Sequence, residues 1–128
     1  MNSVMKYHEF NGNAIWKKAN GEEKQVSYLV MELLEGVELL EFIKTCEILE
    51  DNFIRYIFLQ VGATIHQLHQ KGIAHRDIKL ENLMITKDFE IKLIDFGYAL
   101  VLEGRDKGGY MKSRLGTPMY MAPEIFDK

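Results

Sequence analysis

Cysteine is almost absent from this sequence. Cys46 stands alone, so no disulfide can close within the chain, and a reducing compartment suits it best. Long apolar runs are absent as well. No stretch approaches the ~20 residues needed to span a bilayer. The first residues, Met1 to Asn13, lack the continuous apolar segment of a secretory signal. Positive charge is not in excess. The net charge of −3 gives no case for a nucleic-acid-binding or membrane-binding surface. There is no internal repeat and no low-complexity tract. These absences leave a cytoplasmic or nuclear location as the expectation. What remains is a chain of 128 residues, 47% hydrophobic and 27% charged, enough for one compact domain and too few for two comfortable ones.

Short apolar patches over residues 4–19 predict a strand. Asn20-Gly21 is a turn signal, since both residues tolerate positive φ. A second strand is expected over Gln25 to Leu34, around Tyr28-Leu29-Val30-Met31, and the two together predict a β-hairpin. Glu35-Gly36 interrupts it, and Val37 to Lys44 has the composition of a short helix. The clearest periodicity follows. Ile54, Ile57, Phe58, Val61, Ile65 and Leu68 recur at spacings of three and four, on one face of a helix running to about Gln70. Asp51 is its expected N-cap and Gly72 its terminating glycine. Leu83-Met84-Ile85 and Ile91 to Ile94 predict two short strands with a turn at Lys87-Asp88. Residues 97–116, with Gly104, Gly108, Gly109 and six charged residues, predict a long surface loop.

The chemistry concentrates between residues 75 and 95. The stretch His75-Arg76-Asp77-Ile78-Lys79-Leu80-Glu81-Asn82 holds a carboxylate, a cation and an amide at close spacing. Transfer of a phosphoryl group asks a protein for positioning and charge neutralisation more than for covalent work. Asp77 can orient a hydroxyl or accept its proton, and Lys79 can neutralise charge on the transferred phosphate. Asn82 and Asp95 offer hard oxygen ligands of the kind Mg²⁺ prefers. The two strands between Asn82 and Asp95 form a hairpin that brings its ends together, so one metal cluster could draw on both.

That stretch, with Asp95-Phe96-Gly97 and Ala122-Pro123-Glu124 after it, resembles the signature set of the eukaryotic protein kinases. A tripeptide arises by chance at roughly one in eight thousand positions, so one match is weak and three in order are strong. The similarity runs from about residue 4 to the end of the sequence. It implies an α+β, protein-kinase-like fold in part. Residues 1–34 would be the small-lobe strand hairpin, and residues 35–128 the hinge, helices, catalytic loop and activation segment. Asp77 would be the catalytic aspartate and Lys79 the phosphate-neutralising lysine, whose place resembles that in Ser/Thr rather than tyrosine kinases. Asn82 and Asp95 would hold Mg²⁺. Phe96 would stack on His75. Thr117 would hydrogen-bond toward Asp77 and Lys79, and Gly116 to Met121 would form the substrate-docking segment.

The nucleotide site follows from the same resemblance. Met31 would be the gatekeeper, Glu32 and Leu34 would pair with adenine through their main chain, Glu38 would lie near the ribose, and Met84 would floor the adenine. ATP and Mg²⁺ are thus the implied cofactors, and a protein carrying Ser or Thr the implied substrate. Val37 stands where many kinases have a second glycine. Arg76 would pair with a phosphate on Ser113, ordering the 97–116 loop.

Quieter readings stand beside these. Asp77, Lys79 and Glu81 alone would be a solvated charge run, and Met31 and Met84 would be core filler in any fold. Glu38 and Glu81 could favour basic peptides or simply face water. His66 and His69 lie three apart on a helix but lack a third metal ligand. The glycine-rich phosphate loop, the lysine strand and its partner helix have no counterpart in this sequence. Asn13-Ala14-Ile15-Trp16-Lys17 echoes the lysine strand, but there is no room for an intervening helix before the strand at Val26. Lys17 is therefore read as a strand end before the Asn20-Gly21 turn. The expected function is ATP-dependent Ser/Thr phosphorylation by a full-length form, with this chain alone inactive, marginally stable and prone to associate. The alternative is a non-catalytic binding module, and a weaker one is a small-molecule phosphotransferase.

Overall fold

The computed structural model describes residues 3–101 and 115–126. The chain divides into two compact units, one of Met5–Leu34 and the other of Met1–Val4 with Glu35–Lys128.

The smaller unit is a hairpin of β1 (Tyr7–Lys17) and β2 (Glu23–Met31), paired antiparallel from Tyr7 opposite Met31 to Lys17 opposite Glu23. Asn20-Gly21 makes the turn as expected. Gly21 takes a φ of 85°, and the Asn20 side chain accepts the Glu22 N–H at 3.1 Å. Lys17 ends β1, and β2 stops at Met31, three residues short of the predicted end. There the backbone instead closes the base of the hairpin, with the Glu32 N–H donating to the Lys6 carbonyl at 2.9 Å.

The larger unit begins with a correction. Val37 and Glu38, expected to open a helix, lie instead in a short strand, β3 (Gly36–Glu38), paired antiparallel with β5 (Leu83–Thr86). Pairing with a partner almost fifty positions away overrides local helix propensity. The helix α1 starts only at Leu39 and runs to Thr45. Gly36 is fixed by steric room, because a Cβ there would sit 2.4 Å from the Ile85 carbonyl oxygen.

The predicted long helix is α2, Asp51–Gln70. Its N-cap is Glu50, not Asp51. The Glu50 carbonyl accepts the Ile54 N–H at 3.0 Å, so Asp51 is already inside the first turn. There its charge still favours the positive end of the helix. At the other end Gly72 takes a φ of 70° and its N–H bonds the His69 carbonyl. Of the predicted apolar face, Ile57 and Leu68 are buried, while Phe58 is 72% exposed.

A three-stranded sheet ordered β3-β5-β6 carries the core, with β6 spanning Ile91–Leu93. The predicted final strand residue, Ile94, falls outside β6. Its N–H bonds the Asn82 carbonyl at 2.9 Å and carries the hairpin one step past the strand. On the free edge of β6, Val4 bridges Leu93 in parallel, and the Leu93 N–H donates to the Ser3 carbonyl at 2.8 Å. Leu83, Ile85, Ile91 and Leu93 pack with Leu39, Ile57 and Leu68. Burying side chains of this size contributes about 1.5–3 kcal/mol each.

A second small pairing joins β4 (Ile73–Ala74) to β7 (Leu100–Val101). The predicted loop thus contains a strand where it begins. Ser113 and residues 102–114 lie outside the described residues. The described chain ends in a 3-10 turn, Pro118–Tyr120, and a helical turn, α3 (Pro123–Phe126).

Candidate active site

The site is assembled on the loop between β4 and β5. Arg76 adopts a φ of 68°, a left-handed conformation that is costly for a residue with a side chain. On either side of it, His75 and Asp77 are both buried. The His75 ring is held by two opposite contacts. Its Nε2 donates to the Ile94 carbonyl at 3.0 Å, and its Nδ1 accepts the Asp77 main-chain N–H at 3.3 Å. That arrangement requires a neutral ring. Burial pushes its pKa down, outweighing the Ile94 contact and the nearby Asp77 and Asp95 charges, which push it up. Phe96 meets the ring edge-on with centroids 4.7 Å apart, the predicted stacking.

Asp77, Lys79, Asn82 and Thr117 are brought together. The Thr117 hydroxyl donates to Asp77 Oδ1 at 2.7 Å. The Lys79 ammonium donates to Thr117 Oγ1 at 2.9 Å and lies 2.9 Å from Asp77 Oδ2. Asn82 Nδ2 donates both to Asp77 Oδ2 and to the Asp77 carbonyl, each at 2.9 Å. Burial alone would raise the Asp77 pKa. Hydrogen bonds from Lys79 and Thr117, the Lys79 charge and the Asn82 amide outweigh it and hold the carboxyl below its ordinary range. The same bond to Asp77 holds the Lys79 ammonium above its ordinary value. Asp77 is therefore a carboxylate with both oxygens oriented, suited to positioning a hydroxyl.

The metal candidates lie at the two ends of the β5–β6 hairpin. Because the Asn82 carbonyl accepts the Ile94 N–H, Asn82 stands beside the residue that precedes Asp95. Both Asn82 amide hydrogens are used on Asp77, which leaves Oδ1 for a cation. Asp95 is exposed, takes a φ of 56°, and uses Oδ1 to accept the Gly97 N–H at 3.0 Å. One amide oxygen and one carboxylate fit Mg²⁺, which commonly takes one or two protein oxygens and fills its shell with water and substrate phosphates. Among the described residues, no group of three or more His, Cys, Asp and Glu could hold a metal.

Of the nucleotide-site candidates, Glu38 and Met84 are brought together as a cross-strand pair of β3 and β5. Met31 is the last residue of β2, and Glu32 and Leu34 follow it in the hairpin unit. Arg76, expected to meet a phosphate on Ser113, donates through Nε to the Tyr98 carbonyl at 2.5 Å.

Sequence reasoning missed Gln60. From α2 its Nε2 donates to the Phe89 carbonyl at 3.0 Å, and its Oε1 accepts the Ile91 N–H at 2.9 Å. It thereby clamps the turn of the hairpin whose other end carries Asn82 and Asp95. A signal was present, since Gln60 and Thr64 are polar residues three and seven positions after the buried Ile57.

The protein kinase domain profile matches residues 4–128. The chain belongs to the protein kinase family. Among curated relatives, it is similar to the probable serine/threonine-protein kinase fhkC of Dictyostelium discoideum, 40% identical over 118 residues, which are 91% of this chain and 19% of that protein. Serine/threonine-protein kinase cds1 of Schizosaccharomyces pombe is 38% identical over 98 residues, 77% of this chain and 21% of its own. Serine/threonine-protein kinase 33 of Mus musculus is 38% identical over 115 residues, 83% of this chain and 23% of its own. The chain spans about a fifth of the length of these kinases. Protein kinases generally use ATP and Mg²⁺, and the oxygen donors of Asn82 and Asp95 are of the type that use requires. No helix among the described residues is long and apolar enough to cross a membrane.

Proposed function

We propose that this chain forms the catalytic-loop part of an ATP-dependent Ser/Thr protein kinase, which transfers the γ-phosphoryl group of ATP to protein Ser or Thr hydroxyls. One observation carries the reading. Asp77 is bound at once by Lys79, Asn82 and Thr117, three side chains whose chemistry suits charge neutralisation, metal binding and substrate docking. Asp77 orients the incoming hydroxyl and takes up its proton. Lys79 offsets charge on the moving phosphoryl group, and Thr117 ties the substrate-docking segment to both. Asn82 and Asp95 hold Mg²⁺, which when bound neutralises and orients the phosphates.

The assignment of residues 1–34 to the small-lobe hairpin and 35–128 to the hinge and catalytic part belongs to the same proposal. So does a nucleotide-binding role for Met31, Glu32 and Leu34 within the hairpin unit and for Met84 and Glu38 within the larger one. The pairing of Glu38 with Met84 supports the second of these.

The test uses the full-length polypeptide that carries these residues, γ-labelled ATP, Mg²⁺ and a mixture of Ser, Thr and Tyr peptides. Label should enter Ser and Thr peptides, and Asp77→Asn should lower the rate about 10²–10⁴-fold. Transfer that survives Asp77→Asn unchanged would overturn the reading.

A further inference from the structure

We propose that Gly116 is a positioning residue for this site: only a residue without a side chain at 116 lets the Thr117 hydroxyl reach Asp77 and Lys79. The proposal rests on the reading of Asp77 as the hydroxyl-orienting carboxylate. It adds a role for Gly116 that needs no contact with the substrate.

Two independent features of position 116 carry it. The backbone takes a φ of 132°, in the region that residues with a Cβ rarely adopt. A Cβ built there would also lie 2.8 Å from the Arg76 carbonyl oxygen, closer than real contacts allow. It would meet Met121 Cε at 3.3 Å too, but that flexible side chain can give way.

The Arg76 carbonyl cannot give way in the same manner. Arg76 itself is held at a φ of 68°, and its Nε is bonded to the Tyr98 carbonyl. His75 before it is pinned to Ile94, and Asp77 after it is pinned through its N–H to His75. An alanine at 116 must therefore move its own segment away from the catalytic loop. The next residue is Thr117, whose hydroxyl bonds at 2.7 and 2.9 Å tolerate only a few tenths of an ångström. The geometry makes the glycine a spacer of zero thickness between two pieces of backbone.

The test reads the Lys79 ammonium by NMR in the 128-residue chain with ¹⁵N-labelled lysine, so it needs no catalysis. Lys79→Arg assigns the signal. Lys79 should give a slowly exchanging ammonium signal in the parent chain and in Thr117→Ser, which keeps the hydroxyl. Gly116→Ala should lose it to the same extent as Thr117→Val. Gly21→Ala is the control for strain alone, since Gly21 also has positive φ but nothing within 4 Å of a Cβ, and it should keep the signal. The methyl signals of Ile91 and Leu93 report the core in each variant. A Gly116→Ala chain that keeps the Lys79 signal overturns the proposal. So does one whose core methyl signals collapse, because Gly116 would then serve the whole fold rather than Thr117. In the full-length polypeptide, the same substitution should lower kcat roughly 10- to 100-fold, the worth of a hydrogen bond to a charged group. Peptide KM should change less than kcat. If no kinase activity is found at all, the NMR outcome still decides the role of Gly116.

Discussion

The side-chain oxygen of Gln60 accepts the main-chain N–H of Ile91 at 2.9 Å, across 31 positions of sequence. Ile91 is 2% exposed with Gln60 in place, so truncating Gln60 takes the acceptor from a buried residue's N–H. Gln60→Ala should therefore cost about 1–3 kcal/mol, the penalty for orphaning a buried donor. Gln60→Glu keeps an acceptor for Ile91 and loses only the donor to Phe89, and should cost less. Urea unfolding of the three chains checks the order.

Gly36 leaves no room for a side chain against β5. With a Cβ 2.4 Å from the Ile85 oxygen and 3.1 Å from its carbon, Gly36→Ala must push the two backbones apart. A loss of about 1–3 kcal/mol is expected, as for other overpacked sites. Amide exchange should show the loss at the β3–β5 pairs first. Val37→Gly, at an exposed neighbouring position, should leave those amides protected.

Acid should weaken the fold in two windows. The His75 pKa is lowered in the folded chain, so its contribution is complete above the ordinary value of 6.5 and is lost as pH falls from there toward the folded pKa. The Asp77 pKa is also lowered, so its contribution is present above 3.8 and is lost as pH falls through the folded value below that. Melting temperature measured against pH should fall in both windows. His75→Phe, which keeps an aromatic ring against Phe96, should flatten the first. Asp77→Asn should flatten the second.

Asn82 and Asp77 should be energetically coupled. Asn82→Ala removes two hydrogen bonds from a buried carboxylate and its own carbonyl, and should cost about 1–3 kcal/mol. In a double-mutant cycle with Asp77→Asn, the two losses should fall short of adding, because they break one network. Strict additivity would mean that the amide and the carboxylate act separately.

The sequence made the local features legible. The turn at Asn20-Gly21, the periodicity of α2, the glycine at 72 and the hairpin between Asn82 and Asp95 each depend on residues close in the chain. So does the order of Asp77, Lys79 and Asn82. What was not legible depended on distant partners. Glu38 read as helical because its strand partner Met84 leaves no local mark. Asp51 read as a cap because side-chain chemistry cannot say which carbonyl accepts the first helical bond. The polar Gln60 on α2 was visible, but its partners were not, because they are main-chain atoms, which carry no sequence signature.

The small β4–β7 pairing has a consequence for how the site forms. Thr117 and Asp77 are 40 positions apart, and bringing them together costs loop-closure entropy. Pairing Ala74 with Leu100 first leaves roughly twenty residues to close instead, and each halving of a loop lowers the closure cost by about 0.6 kcal/mol. Two strands of two residues thus act on the search that precedes the site rather than on its chemistry, shortening the path by which Thr117 finds Asp77.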